Sequence, residues 1–409
     1  MICRLLLIIA LFISFVSSAS YGQNFTISGR ITGLQKGDTL HFDRIILPVF
    51  DRDPAFDIIV EQPDSFSYSG MQDHDQNYSM TYLPKAGSVA DSDRCWIGVI
   101  VRAGDKITLS GNTDEIYYCR LGGGIYSDPM LDRYLQLSDS LGLVRCGYLR
   151  KSMEALAAND TVSAIHYSDL FNNFGRSGSD PGFDRLHQAK DAYRNACPAG
   201  SLYLLVSSLE EVNYSPLDKS KEFYESLSPE LKDSYYGQLY NDAIYTIENL
   251  AVGKPVPPFS VITTDDKKLT DKDFNGKYLL IYHWGLCPGS MMIDRNVREL
   301  YDKYSGKGLE ILGLTESMET ISQLYDQLSD DALLPNGENM KLTLANMLHH
   351  PWSEVETATS HPDNKLLSDT FRISGWPFFI LIGPDGKICV RGFSEAFTAA
   401  GYLLEKELK

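Results

Sequence analysis

Of the seven cysteines in the chain, Cys287 has the surroundings best suited to chemistry. The run Tyr278-Leu-Leu-Ile-Tyr-His-Trp284 is almost continuously apolar, as in a strand covered on both faces. From Ser290 to about Tyr304, Ile293, Val297, Leu300, Tyr301 and Tyr304 recur on one helical stripe. Cys287 therefore sits where a buried strand hands over to a helix. Unpaired backbone N–H groups at such an end stabilise a thiolate, which is the nucleophilic form of cysteine. The alternative is a packed cysteine that happens to lie at a junction. Cys95, Cys119, Cys146 and Cys197 are too irregularly spaced for a disulfide framework or paired metal knuckles, and the sequence leaves any pairing among them open. His349, His350 and His361 lie in an irregular stretch around Pro351 and Pro362 with no paired cysteines, so they read as surface histidines and no metal is expected. No phosphate-cradling or dinucleotide glycine motif follows a strand, and no cofactor is expected.

The elements that must position Cys287 begin at Gly253-Lys-Pro-Val-Pro-Pro-Phe259, a proline-punctuated junction. Beyond it Leu309-Glu-Ile-Leu-Gly-Leu314 reads as a second buried strand. Phe378-Phe-Ile-Leu-Ile382, the turn Gly383-Pro-Asp-Gly386 and Lys387-Ile-Cys-Val-Arg391 read as an antiparallel hairpin. The expectation for 251–409 is an α/β fold with a mixed central sheet and helices on both faces. Upstream, short strands with turn punctuation from Asn24 to about Gly122 predict a small antiparallel β domain over 23–124. From Pro129 to Leu250 the apolar period moves toward 3.6, which predicts a helical segment over 125–250. Tyr224, Tyr235, Tyr236, Tyr240 and Tyr245 recur there at helical spacing and read as packing.

A length of 409 residues suits several domains, and 43% hydrophobic with 22% charged residues is ordinary globular composition. The net charge of −17 repels phosphate backbones, so nucleic acid is excluded as a partner. Residues 1–22 read as a cleaved export signal: Met1-Ile-Cys-Arg4, an apolar run from Leu5 to Val16, then Ser17, Ser18 and Ala19. That run is shorter than the about 20 residues a membrane span requires, and no later stretch is long enough. The mature chain is expected in the periplasm or another exported compartment, without an integral span.

The C-terminal segment resembles the thioredoxin superfamily, specifically the exported TlpA-like thiol-disulfide oxidoreductases that are grouped with redoxins. The resemblance rests on the proline junction, Leu269 to Lys277, Trp284-Gly-Leu-Cys-Pro-Gly-Ser290, and Ile373-Ser-Gly-Trp-Pro-Phe-Phe-Ile-Leu-Ile382 with Gly383-Pro-Asp-Gly-Lys387. It implies that Pro377 is a cis-proline facing Cys287, and that Trp284, Gly375 and Trp376 contact an extended peptide. The partners it implies are protein thiols and disulfides with an external reductant. The sequence departs from the family where a second, resolving cysteine belongs, for that position is Ser290. A serine can bond the thiolate or cap the helix, and capping is the expected role. Ile293 stands where many members carry an acid, and Asp294 is offset by about 100° around the helix, so a proton relay is not expected. Cys389 is placed at the far end of the sheet, too distant to resolve. Trp284 and Leu280 occupy the positions at which peroxiredoxins carry Thr or Ser and Pro, which disfavours peroxide reduction. Two readings stand: Cys287 as a single nucleophilic thiol assisted by Ser290 and Pro377, or a non-catalytic thioredoxin-fold binding or assembly module.

Overall fold

The computed structural model describes residues 23–48, 51–90, 92, 94–174, 181–334, 337–358, 362–373 and 375–409. The expected export signal and His361 lie outside the described residues. The described residues divide into two compact units, one comprising those up to 210 with 222–240 and the other those of 211–221 with 241–409.

The first unit contains β1 (Gln23–Thr32), β2 (Thr39–Ile46), β3 (Asp51–Ile59), β4 (Ser65–Gln72), β5 (Gln76–Leu83), β6 (Ile97–Val101), β7 (Lys106–Asn112) and β8 (Arg120–Gly122). They form two four-stranded sheets, ordered β4-β1-β7-β8 and β3-β2-β5-β6. Alternation along the strands turns Phe25, Ile27, Leu40, Phe42, Ile107 and Leu109 into one core. The second sheet is antiparallel throughout, but β1 pairs with β7 in parallel, so the expected all-antiparallel domain is corrected there. Side-chain alternation is the same in both pairings, so it reports that a strand exists and not its direction.

Helices follow: α1 (Pro129–Ala157), α2 (Thr161–Asn173), α3 (Pro181–Ala196), α4 (Leu202–Glu211), α5 (Leu217–Ser226), α6 (Pro229–Asp233) and α7 (Tyr235–Asn249). Asp128 and Ser228 cap α1 and α6, each accepting a backbone N–H while Pro takes the first position, where no donor is needed. Leu131, Tyr193 and Leu204 pack into the same core as the strands. Tyr236 and Tyr240 are buried, and the Tyr236 hydroxyl accepts the Asn77 N–H at 2.7 Å.

The second unit holds a short hairpin, β9 (Ser260–Ile262) with β10 (Lys268–Thr270), and a five-stranded sheet. That sheet runs β13 (Ser353–Glu356), β12 (Leu309–Thr315), β11 (Tyr278–His283), β14 (Phe378–Ile382) and β15 (Ile388–Gly392). β11, β12 and β13 are parallel, whereas β14 and β15 are antiparallel additions. The sheet is mixed and covered twice. Leu280 and Tyr282 face a core shared with α8 (Pro288–Tyr304) and α12 (Ser394–Glu407), between which α9 (Met318–Gln327), α10 (Met340–Met347) and α11 (Pro362–Thr370) follow in the chain. Leu279 and Ile281 face the opposite core with Leu367 of α11. Burial on both faces is why β11 reads as an unbroken apolar run.

Candidate functional site

β11 ends at His283, and the chain turns through Trp284 to Cys287 before α8 begins at Pro288. Cys287 is itself the N-cap, in extended conformation, and its Sγ accepts the Ser290 N–H at 3.3 Å. The expectation that Ser290 caps the helix is therefore corrected: the helix starts earlier because Pro288 fits its first position. The Ser290 side chain, fully buried, instead has its hydroxyl 3.3 Å from Cys287 Sγ and accepts the Gly285 N–H at 3.2 Å. Cys287 is half-buried, with its thiol 3.7 Å from the Trp376 carbonyl oxygen.

The loop opposite carries Gly375, Trp376 and Pro377, and the Trp376–Pro377 peptide is cis. Pro377 touches the first turn of α8: a Cβ added to Gly289 would stand 3.2 Å from Pro377 Cδ. Trp376 lies against the turn that leads to Cys287, since a Cβ on Gly285 would come within 2.8 Å of its indole. Gly285 is thus required by close approach, whereas a side chain at Gly289 would press on Pro377 by only a few tenths of an ångström. The site brings together Cys287, Ser290, Gly375, Trp376 and Pro377.

Trp284 is placed elsewhere. It is fully buried, and its indole N–H donates to Glu354 at 3.0 Å, so it faces the interior and no substrate can reach it. Glu354 also accepts from the Trp352 indole at 2.7 Å and contacts His350 Nδ1 at 2.6 Å. His350 Nε2 lies 2.7 Å from Asp294, which Arg298 holds at 3.1 Å. The expected surface position of His350 is corrected, since its side chain is 0% exposed; His349 does lie on the surface. Burial lowers the proton affinity of His350, but the hydrogen bonds to Asp294 and Glu354 outweigh that and raise it above the ordinary histidine value. Asp294 is a structural ion partner in this arrangement. The sequence does not mark the whole network, because the links from His350 to Asp294 and from Trp284 to Glu354 span 56 and 70 residues.

Sequence reasoning also missed His283. Its Nδ1 lies 3.0 Å from the Gly375 carbonyl and its Nε2 accepts from the Trp376 indole at 3.2 Å. Burial pushes it down to about 4, only partly offset by the Gly375 bond. A lone polar residue closing an apolar strand was the available signal.

Cys389 lies at the other end of the sheet, near Ile382, whereas His283 pairs with Phe378. None of the six described cysteines is in a disulfide. Among the described residues no group of three or more His, Cys, Asp and Glu could hold a metal ion.

No protein-family model matches the chain. The chain is similar to the thioredoxin domain of a thiol-disulfide oxidoreductase from Bacteroides vulgatus, at 21% identity over 39% of this chain and 99% of that one, with a TM-score of 0.28. A thiol:disulfide interchange protein from Bacteroides sp. is 22% identical over 39% of this chain and 91% of that one, TM-score 0.28. In sequence it is 36% identical over 109 residues to the thiol-disulfide oxidoreductase ResA of Bacillus thuringiensis subsp. konkukian, covering 25% of this chain and 63% of that one. The Bacillus anthracis ResA is 35% identical over 77 residues, covering 19% of this chain and 44% of that one. The chain thus spans less than two thirds of the length of these two ResA proteins. The chain is thus similar to thiol-disulfide oxidoreductases of the thioredoxin superfamily.

Proposed function

We propose that this protein is a thiol-disulfide exchanger with Cys287 as its single nucleophilic thiol. The observation that carries this reading is the half-buried Cys287 Sγ at the first turn of α8, bonded by the Ser290 N–H and facing the Trp376 carbonyl across 3.7 Å. The Cys287 thiolate attacks one sulfur of a protein disulfide, a mixed disulfide forms, and the second substrate sulfur leaves as a thiolate. An external thiol then attacks the mixed disulfide, regenerates Cys287 and is itself oxidised. Ser290 cannot perform that second attack. Gly375, Trp376 and Pro377 supply backbone against which the substrate peptide lies extended. The relatives' name supports the chemistry, and residues 1–22 support an exported location, where disulfide substrates persist. Among the described residues no helix is long and apolar enough to cross a membrane.

Replacement of the resolving position by a buried, hydrogen-bonded serine favours a second reading, a thioredoxin-fold module that captures partners without turnover. Insulin reduction driven by dithiothreitol separates the two. The exchanger accelerates it and Cys287→Ser abolishes the acceleration; a wild-type rate equal to that of Cys287→Ser removes the enzymatic reading.

A further inference from the structure

We infer that His283 is a positioning residue that locks the Gly375–Pro377 loop opposite Cys287 by bonding the loop at two points. The inference rests on the exchange reading of Cys287. An indole N–H can only donate, so His283 Nε2 must accept from Trp376, and the imidazole proton must sit on Nδ1. A backbone carbonyl can only accept, so that Nδ1–H donates to Gly375. Each partner therefore selects the same neutral tautomer. The two bonds reach consecutive residues, one through the backbone and one through the side chain, and so fix both the path of the loop and the lie of the Trp376 ring.

The next group along is the Trp376 carbonyl, 3.7 Å from Cys287 Sγ. The indole is confined from a second side by Gly285, where no side chain fits. His283 belongs to β11, whose ladder with β14 pairs His283 with Phe378, the residue just after the proline. The rigid sheet thus holds the histidine, and the histidine holds the segment that presents the peptide-binding backbone. Phe393 packs on Phe378 edge to face and on Tyr214 face to face, against the loop's other side. His283 is accordingly a polar hold on the loop that grips it at two points. Its loss affects a substrate that must lie along Gly375–Trp376 more than a small reagent that needs only the sulfur.

The test compares full-length wild type, His283→Phe, His283→Gln and Trp376→Phe. One readout is mixed-disulfide formation with a peptide disulfide, a second is alkylation of Cys287 by iodoacetamide, and a third is solvent exchange of the Trp376 indole N–H by NMR. The expected result is an about tenfold slower peptide reaction in His283→Phe with alkylation within about twofold of wild type. His283→Gln, which retains an acceptor for the indole and a donor for the carbonyl, restores most of the loss. Trp376→Phe removes the same bond from a partly exposed side chain, and its effect is not additive with that of His283→Phe. Equal rates in all four proteins, or a parallel fall in both chemical readouts, overturn the inference and leave exchange by Cys287 standing. A wild type that alkylates but never forms the mixed disulfide defeats the exchange reading. The indole proton then decides the lock, which holds if protection is lost in His283→Phe and fails if protection is unchanged.

Discussion

The setting of Cys287 is legible in the sequence because it is local: an apolar strand, a tight turn with Pro288 and Gly289, then a helical stripe. The roles of its neighbours were not. Ser290 reads as a cap from type and position, but the structure makes it an acceptor for the Gly285 N–H. His283 bonds a carbonyl 92 residues away, a separation over which no periodicity carries information. Two substitutions test the serine. Ser290→Ala leaves the Gly285 N–H without its partner in a buried turn, with an expected loss of about 1–3 kcal/mol in urea unfolding. Ser290→Cys restores a resolving thiol at the family position, and multiple-turnover insulin reduction should rise at least about tenfold. No gain would show that the geometry at Ser290 cannot support resolution.

At the scale of elements, β11, α8, β12 and the β14–β15 hairpin could be read from period and length, since each buries a patterned face. What the pattern did not reveal is the polar tie inside the domain. His350 joins Asp294 of α8 to Glu354 of β13, and Glu354 in turn holds Trp284 of the turn that leads to Cys287. Replacing His350 with Leu leaves Asp294 with Arg298 and the buried Glu354 with the Trp284 and Trp352 indoles but no cationic partner, so an expected destabilisation of about 3 kcal/mol should appear in thermal or urea unfolding. The two buried histidines also have opposite linkage. His350 binds its proton more tightly folded than unfolded, so its stabilisation is present in acid and fades as pH rises above the ordinary histidine value. His283 resists protonation down to about 4, whereas the unfolded chain takes the proton near 6.5, so its contribution falls as pH drops through that window. Urea midpoints between pH 4 and 7 should therefore flatten on the acid side in His283→Gln relative to wild type. An unchanged profile would show that His283 is not held neutral.

For the molecule as a whole, the change of periodicity near Pro129 marks a change of element type, but packing continues across it. Leu131, Tyr193 and Leu204 share a core with Phe25, Leu40 and Ile107. Composition shows where helices replace strands, and contacts alone show which elements share a core. The parallel pairing of β1 with β7 was hidden for the same reason. Thiol reactivity across the chain follows from burial. Cys119 is enclosed and its thiol is pushed up to about 12 by desolvation, with nearby Asp139 and Glu115 adding to the effect. Burial likewise raises Cys197 and Cys389. In the native protein near neutral pH, Cys95 and Cys287 should label with iodoacetamide and Cys119 should not, as read by peptide mapping.

The central claim is that the sulfur of Cys287 reacts with protein disulfides while held between the first turn of α8 and the Trp376 carbonyl. The direct measurement is mass-spectrometric mapping of the adduct formed when the full chain, without reductant, meets a disulfide-bonded peptide. The account predicts one mixed disulfide, on Cys287, that persists because Ser290 cannot resolve it and that is absent from Cys287→Ser. An adduct on another cysteine, or none above the Cys287→Ser background, would contradict it.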